Sequence, residues 1–308
     1  MTITETSTAL WDEQLDRLRA GLKVLEDKPE ETEETCLQAL WLKAAGIAVS
    51  PQRAGALDRP PLTDDQAREL ARLVAQRLQG TPLSYLTGRQ SFMELEFLTT
   101  PGAMIPRKET EILARTALGL IDGMDGRGEG FCLLDICTGS GNLPVVYATH
   151  DPTARVFAAD LSDEAVALAR ENAVLHGVEA RIELRQGDLL APFDSDDFHG
   201  KVDLLSCNPP YISNAKVDEL PEEIATHEPR MAFAGGSFGI DIPKRLIADA
   251  VRFLKPNTGW LAFEIGLGQG PFFQKRLQKN PHFADVVGVT DDNGDIRVVA
   301  ARRVEPQI

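Results

Sequence analysis

Cysteine is scarce in this chain, and positive charge is outnumbered. Four cysteines (Cys36, Cys132, Cys137, Cys207) are spread over 308 residues without paired CxxC spacing. That pattern argues against a disulfide framework or a zinc site and predicts reduced thiols. No metal is expected. Lysine and arginine number 32 against 47 acids, a formal net charge of −15. Such a surface repels a phosphate backbone, so non-specific nucleic-acid binding is disfavoured. No apolar run approaches the ~20 residues of a membrane-spanning helix. The opening stretch "MTITETSTALWDEQ" lacks the basic and apolar segments of a secretory signal, so a cytoplasmic location is expected.

What is present is an ordinary globular composition, 43% hydrophobic and 26% charged. The length suits one large domain or two ordinary ones. The first 90 residues alternate helical periodicity with polar breaks. Leu15, Leu18 and Leu22 share a face. "EETEETCLQALWLKAAGIA" reads as an acidic, solvated start running into a helix. "TDDQARELARLVAQRL" opens with Thr63 and Gln66 as a capping box, followed by a stripe of Leu70, Leu73, Val74 and Leu78. Nothing in this helical segment carries a catalytic signature. Residues 91–107 read as a hairpin or linker on Phe92, Leu95 and Phe97.

From residue 108 to 308 a helix leads into a strand–loop–helix repeat. "FCLLDI", "RVFAAD", "RIELRQGD", "VDLLSCNPPY" and "GWLAFEIG" are the expected strands. Alternation with helices implies a parallel α/β sheet, Rossmann-like in connection. "FADVVGVTDDNGDIRVVAARR" adds a C-terminal antiparallel hairpin around Asp-Asn-Gly.

Ligands of such sheets bind at the carboxyl ends of the strands. Four of those ends are unusual: Asp135 with the loop "CTGSGN", Asp160, Asp188, and "NPPY" from Asn208 to Tyr211. Gly139 and Gly141 permit a tight turn and close approach of a ligand. An acid at the second strand's end commonly accepts hydrogen bonds from ribose hydroxyls. The third glycine of the dinucleotide fingerprint is missing, and Asp135 disfavours a pyrophosphate. A cationic ligand such as a sulfonium suits it better, which favours S-adenosylmethionine over NAD. Taken singly, each feature has an ordinary structural explanation: a turn, a helix-capping acid, a strand-ending proline. Their coincidence at successive strand ends favours a site.

"NPPY" fits the acceptor side of methyl transfer. The Asn208 side-chain oxygen and the Pro209 carbonyl can each accept one N–H of an amino or amide nitrogen. Pro209 and Pro210 fix that geometry with little entropy left to lose. Tyr211 can pack on a planar group. Two further readings stay open. The same tetrapeptide could hold an exocyclic adenine amine, though the acidic chain counts against it. A non-catalytic binding protein could keep the fold, though intact Asn208 and Asp160 argue otherwise.

"DICTGSGN", "AADLSDEA", "QGDLL" and "NPPYI" resemble the motifs of NPPY-type class I S-adenosylmethionine-dependent methyltransferases. "TPLSYLTGRQSFMELEF", "IPRKETEIL", "HEPRMAFAGGSFGID" and "DDNGDIRVVAARR" extend the likeness to the HemK/PrmC protein-glutamine N5-methyltransferases. The resemblance implies a methyl donor held by Asp135, Cys137, Thr138, Gly139, Ser140, Gly141, Asp160, Leu161, Asp188, Leu189 and Asn208. It implies Asn208, Pro209, Pro210 and Tyr211 as the catalytic set. It further implies residues 1–90 as a substrate-recognition domain and a glutamine of the GGQ motif of a peptide chain release factor as acceptor. Departures fall at Cys137, where the family has glycine, at Lys108 and Glu109 within "RKETE", and at Leu189 in place of an aromatic. "DICTGSG" and "VDELPEEIATHEP" lean towards a sister branch acting on a ribosomal-protein glutamine, and a paralogue methylating a peptide or small-metabolite nitrogen is a third possible reading.

Overall fold

A computed structural model describes residues 3–25, 28–125 and 130–306. Two compact units emerge, Met1–Pro101 with Leu220–Glu228, and Gly102–Glu219 with Pro229–Ile308. These bounds differ from the expected 1–90, 91–107 and 108–308: residues 91–101 fall in the first unit, and a later segment returns to it. The returning segment Leu220–Glu228, expected within the sheet domain, packs with the N-terminal helices.

The first unit holds α1 (Ile3–Gly21), α2 (Glu33–Ala44), α3 (Pro51–Ala54), α4 (Asp64–Leu78) and α5 (Leu83–Thr87). Its core gathers Leu15, Leu18, Leu70, Leu73 and Val74, from the stripes visible in the sequence, with Leu37, Leu40 and Trp41 of α2. The capping box at Thr63 and Gln66 is formed. A hairpin follows, β1 (Arg89–Phe92) and β2 (Leu95–Leu98). Its two-residue turn is Met93-Glu94, both with positive φ (49° and 63°). Asn or Gly would adopt that turn at lower steric cost, which is why it was not legible as a tight hairpin.

The acidic start of α2 is only partly solvated. Glu31, just before it, is buried and paired with Arg77 at 3.0 Å. Arg77 also pairs with Glu223 at 2.5 Å, and Lys28 meets Glu223 at 3.1 Å. Two carboxylates and two cations thus satisfy one another away from water, and Glu223 fastens the returning segment to the helices.

The second unit runs α6 (Thr110–Asp122), β3 (Cys132–Ile136), α7 (Asn142–His150), β4 (Arg155–Asp160), α8 (Asp163–Leu175), β5 (Ile182–Gln186), β6 (Leu204–Cys207) and α9 (Asn214–Val217). After α10 (Glu222–His227) in the returning segment come α11 (Asp241–Phe253), β7 (Trp260–Glu264), α12 (Gly270–Gln278), β8 (Phe283–Thr290) and β9 (Ile296–Arg303). The sheet order is β5-β4-β3-β6-β7-β9-β8. The first five strands pair in parallel, and β8 and β9 close the edge as the expected antiparallel hairpin. β3 and β6 are buried along their whole length, as strands covered on both faces must be. No helix among the described residues is long and apolar enough to cross a membrane.

Glu223→Ala would leave Arg77 and Lys28 buried without that partner. Breaking a buried ion pair this way costs about 3–5 kcal/mol. The variant should lower the urea midpoint followed by tryptophan fluorescence, since Trp11 and Trp41 both lie in this unit. An unchanged midpoint would show the network to be dispensable.

Candidate functional site

β4 lies on one side of β3 and β6 on the other, so the chain order reverses at β3. Loops after β3 and β6 consequently part from each other and leave a crevice at the carboxyl ends. A cavity of about 300 Å³ fills it. Its lining includes Cys137, Thr138, Gly139, Ser140, Asp160, Leu161, Asp188, Leu189, Asn208 and Pro210. Ten of the residues singled out in the sequence thus meet in one place.

One side of the cavity is held by backbone. Asp160, ending β4, accepts hydrogen bonds from Gly139 N–H at 2.8 Å and Ser162 N–H at 3.0 Å, one on each oxygen. Burial raises its pKa, and those backbone donors pull it back. Each carboxylate oxygen keeps a second lone pair for a hydroxyl of the ligand. Gly139 has φ +54°, and a Cβ placed on it would meet nothing within 4 Å, because it faces the cavity. Leu161 is 53% exposed, while Leu189 is buried. Both line the cavity, giving a flat ligand ring apolar surface. Cys137 has φ +60°. This left-handed backbone explains why glycine suits the position, and the cysteine holds it at a steric cost. Asp188 lines the cavity but is half exposed and paired with Arg245 at 2.6 Å.

Four expected site residues lie elsewhere. Asp135 is fully buried beneath the loop, outside the lining. It is the register partner of Ser206, whose hydroxyl donates to it at 2.6 Å. Burial raises its pKa to about 7, with the Ser206 and Thr138 hydroxyls opposing. Asp135 therefore lies beneath the loop, bonded to β6 and not exposed to the cavity. Gly141 turns onto Ala169 of α8, where a Cβ would come within 2.8 Å of the alanine Cβ. Pro209 is buried and outside the lining. Tyr211 points away, and its hydroxyl donates to Glu264 at 2.9 Å. That hydrogen bond takes the tyrosine's polar tip to β7, so the expected packing on a planar ligand group is not formed by the cavity wall.

The "NPPY" side of the cavity is braced by residues to which no local sequence pattern assigns a role. Asn208 Nδ2 donates to Thr110 Oγ1 at 3.0 Å. The loop Phe233–Gly239 presses on the "NPPY" backbone: a Cβ at Gly235 would stand 2.3 Å from the Pro210 carbonyl oxygen. Gln269 Nε2 donates to the carbonyls of Tyr211 at 3.1 Å and Gly239 at 3.2 Å. Glu264 was findable. It ends β7 as Asp160 ends β4, with Asp135 one residue short of the end of β3, and the rule that selects those acids selects it too. Thr110 lay within the quoted "RKETE", but no local pattern assigns its hydroxyl a partner 98 residues away.

Two family descriptions match the chain, "PrmC N-terminal domain" over residues 16–88 and "Methyltransferase small domain" over residues 118–252. A protein of Geobacter sulfurreducens named release factor glutamine methyltransferase is 35% identical over 280 residues, covering 91% of each chain. One of the same name from Moorella thermoacetica is 38% identical over 253 residues, covering 74% of this chain and 86% of its own. The chain belongs to the release factor glutamine methyltransferase family. Among solved structures, the human methyltransferase 10 domain containing protein aligns at TM-score 0.50 with 17% identity, over 69% of this chain and 90% of its own. That likeness shows the methyltransferase fold. Membership makes this protein an S-adenosylmethionine-dependent methyltransferase, and the cavity's backbone-held acid, glycine cradle and apolar walls fit that donor.

Asp135 also sets a pH dependence. An acid with a folded pKa near 7 and an ordinary unfolded value near 4 binds more protons folded than unfolded between those limits. Its contribution to stability is therefore lost as pH rises from about 4 to about 7. Asn resembles the protonated acid, so Asp135→Asn should gain stability relative to wild type across that range, with the difference level above it. Denaturant unfolding at pH 5, 6, 7 and 8 measures this. A difference independent of pH would contradict it.

Proposed function

We propose that this enzyme transfers the methyl group of S-adenosylmethionine to the side-chain amide nitrogen of a glutamine in a peptide chain release factor. One observation carries the reading: the loop residues Cys137–Ser140 line a single cavity together with Asn208 and Pro210. The names borne by the relatives supply the acceptor. The bound donor supplies an electrophilic methyl on a sulfonium. Asp160 holds its ribose hydroxyls, and the Cys137–Gly141 loop lies along it. Asn208 Oδ1, at the cavity wall, receives an amide hydrogen and so orients the nitrogen towards the methyl.

An amide nitrogen is a weak nucleophile, so positioning is the principal device. The proton becomes acidic once the nitrogen carries the methyl, and no strong base is required before attack. The N-terminal helices, free of catalytic groups, select and orient the release factor. The four thiols, all free, suit a reducing cytoplasm.

Asp160→Ala removes a charge-assisted acceptor worth about 1.5–3 kcal/mol. Donor affinity measured by calorimetry should fall roughly tenfold to a hundredfold. Unchanged affinity would remove Asp160 from the site. Asn208→Ala should leave donor affinity mostly intact and slow single-turnover transfer to a release factor by on the order of a hundredfold. A wild-type rate in that variant, or transfer to DNA in preference to the release factor, would overturn the amide reading.

A further inference from the structure

The chain is acidic overall, yet the stretch from Ile265 to Ala284 holds no aspartate or glutamate. α12 lies within it. Phe273 and Leu277 of this helix are fully buried in the core of the second unit. Phe272, Lys275, Arg276 and Lys279 recur at i, i+3, i+4 and i+7, so they share one stripe, and all four are exposed. With Asn280 they line a shallow groove of about 370 Å³.

The charge in this groove is unanswered. Cations on neighbouring elements have acids: Arg252 pairs with Asp194 at 3.0 Å and Arg302 with Asp285 at 2.6 Å. Lys275, Arg276 and Lys279 pair with no acid among the described residues. The rim adds an aromatic face and a fourth cation, since Lys244 Nζ stands 5.8 Å from the centre of the Phe272 ring. The groove is also tied to the "NPPY" turn. Gln269, immediately before α12, donates to the Tyr211 and Gly239 carbonyls. On either side of that tie Leu267 and Phe238 are 65% and 76% exposed. An apolar surface thus flanks the link between the turn and the basic stripe.

We infer that the α12 groove docks an acidic segment of the protein acceptor, whose carboxylates meet Lys275, Arg276 and Lys279 while an apolar side chain covers Phe272. The inference rests on the protein acceptor proposed above. Nucleic acid is the poorer occupant. Phe272 to Lys279 spans about 10 Å, the length of about three phosphates of one strand. The rest of a polyanion would meet a chain of net charge −15. A folded protein can carry its acids in one place. None of the groove residues lines the donor cavity, so the groove governs association and not the methyl-transfer step.

The test is steady-state transfer to a full-length release factor at saturating donor, over a range of salt, with donor titration of each variant. Lys275→Glu with Lys279→Glu should raise KM for the release factor roughly tenfold or more at low salt, with kcat and donor affinity little changed. Lys275→Gln with Lys279→Gln should raise it less, and its KM should climb less steeply with salt than that of wild type. Arg155→Glu with Arg170→Glu makes the same change in net charge on β4 and α8, towards the opposite edge of the sheet. That pair should stay within a few-fold of wild type. An unchanged KM in both Lys275/Lys279 pairs would overturn the inference. If those pairs also abolished binding of a fluorescent RNA oligonucleotide, the groove would belong to nucleic acid. An equal rise of KM in the Arg155/Arg170 pair would overturn it too, by assigning the effect to net charge alone. No transfer to a release factor by the wild-type enzyme would overturn the acceptor reading, and the inference with it.

Discussion

The reversal of chain order at β3 is the constraint on which the site depends. A parallel sheet covered on both faces offers a ligand little but its strand ends. Where successive crossovers run the same way, the loops above those ends crowd together. At β3 the chain proceeds to β4 and β5 on one side, then returns to β6 and β7 on the other. The loop after β3 and the turn after β6 are adjacent in register, Ile136 beside Cys207, yet lead apart. Donor and acceptor chemistry can then face one cavity from neighbouring strands.

Buried charge is handled differently in the two units. Among the helices, Glu31 and Glu223 are answered by Arg77 and Lys28, four ions closed on one another. At the strand ends, Asp135 meets the Ser206 hydroxyl, Asp160 meets backbone N–H groups, and Glu264 meets the Tyr211 hydroxyl. Burial raises the pKa of all three. Hydroxyl and N–H partners leave lone pairs open and give each hydrogen bond a direction. For a site that must orient an amide and receive ribose hydroxyls, direction matters more than charge.

Acids near the strand ends do not all face the cavity. Asp160 lines it, held by the backbone N–H groups of Gly139 and Ser162. Asp135 does not, because the side chain of a fully buried strand can as well point to the neighbouring strand as to the cavity. Glu264, at the end of β7, turns to the Tyr211 hydroxyl. Tyr211 was expected to face a ligand, but the bond from its hydroxyl to Glu264 takes it inwards. The turn Met93-Glu94 and the left-handed backbone at Cys137 were hidden because residue type ordinarily argues against both conformations.

By itself, the sequence determined the alternation of strands and helices, the terminal hairpin, the helical stripes of the first unit and the loops that carry the site. These follow from periodicity and from backbone demands that Gly, Pro and capping residues meet locally. Tertiary structure decided what depends on partners distant in the chain: Glu223 joining Arg77 and Lys28, Ser206 turning Asp135 away from the cavity, and Thr110 taking the amide of Asn208. Hydrogen bonds have direction and buried charges need answers, but neither requirement names its partner in sequence. The fold supplies that partner by bringing strand ends and helix starts to one place.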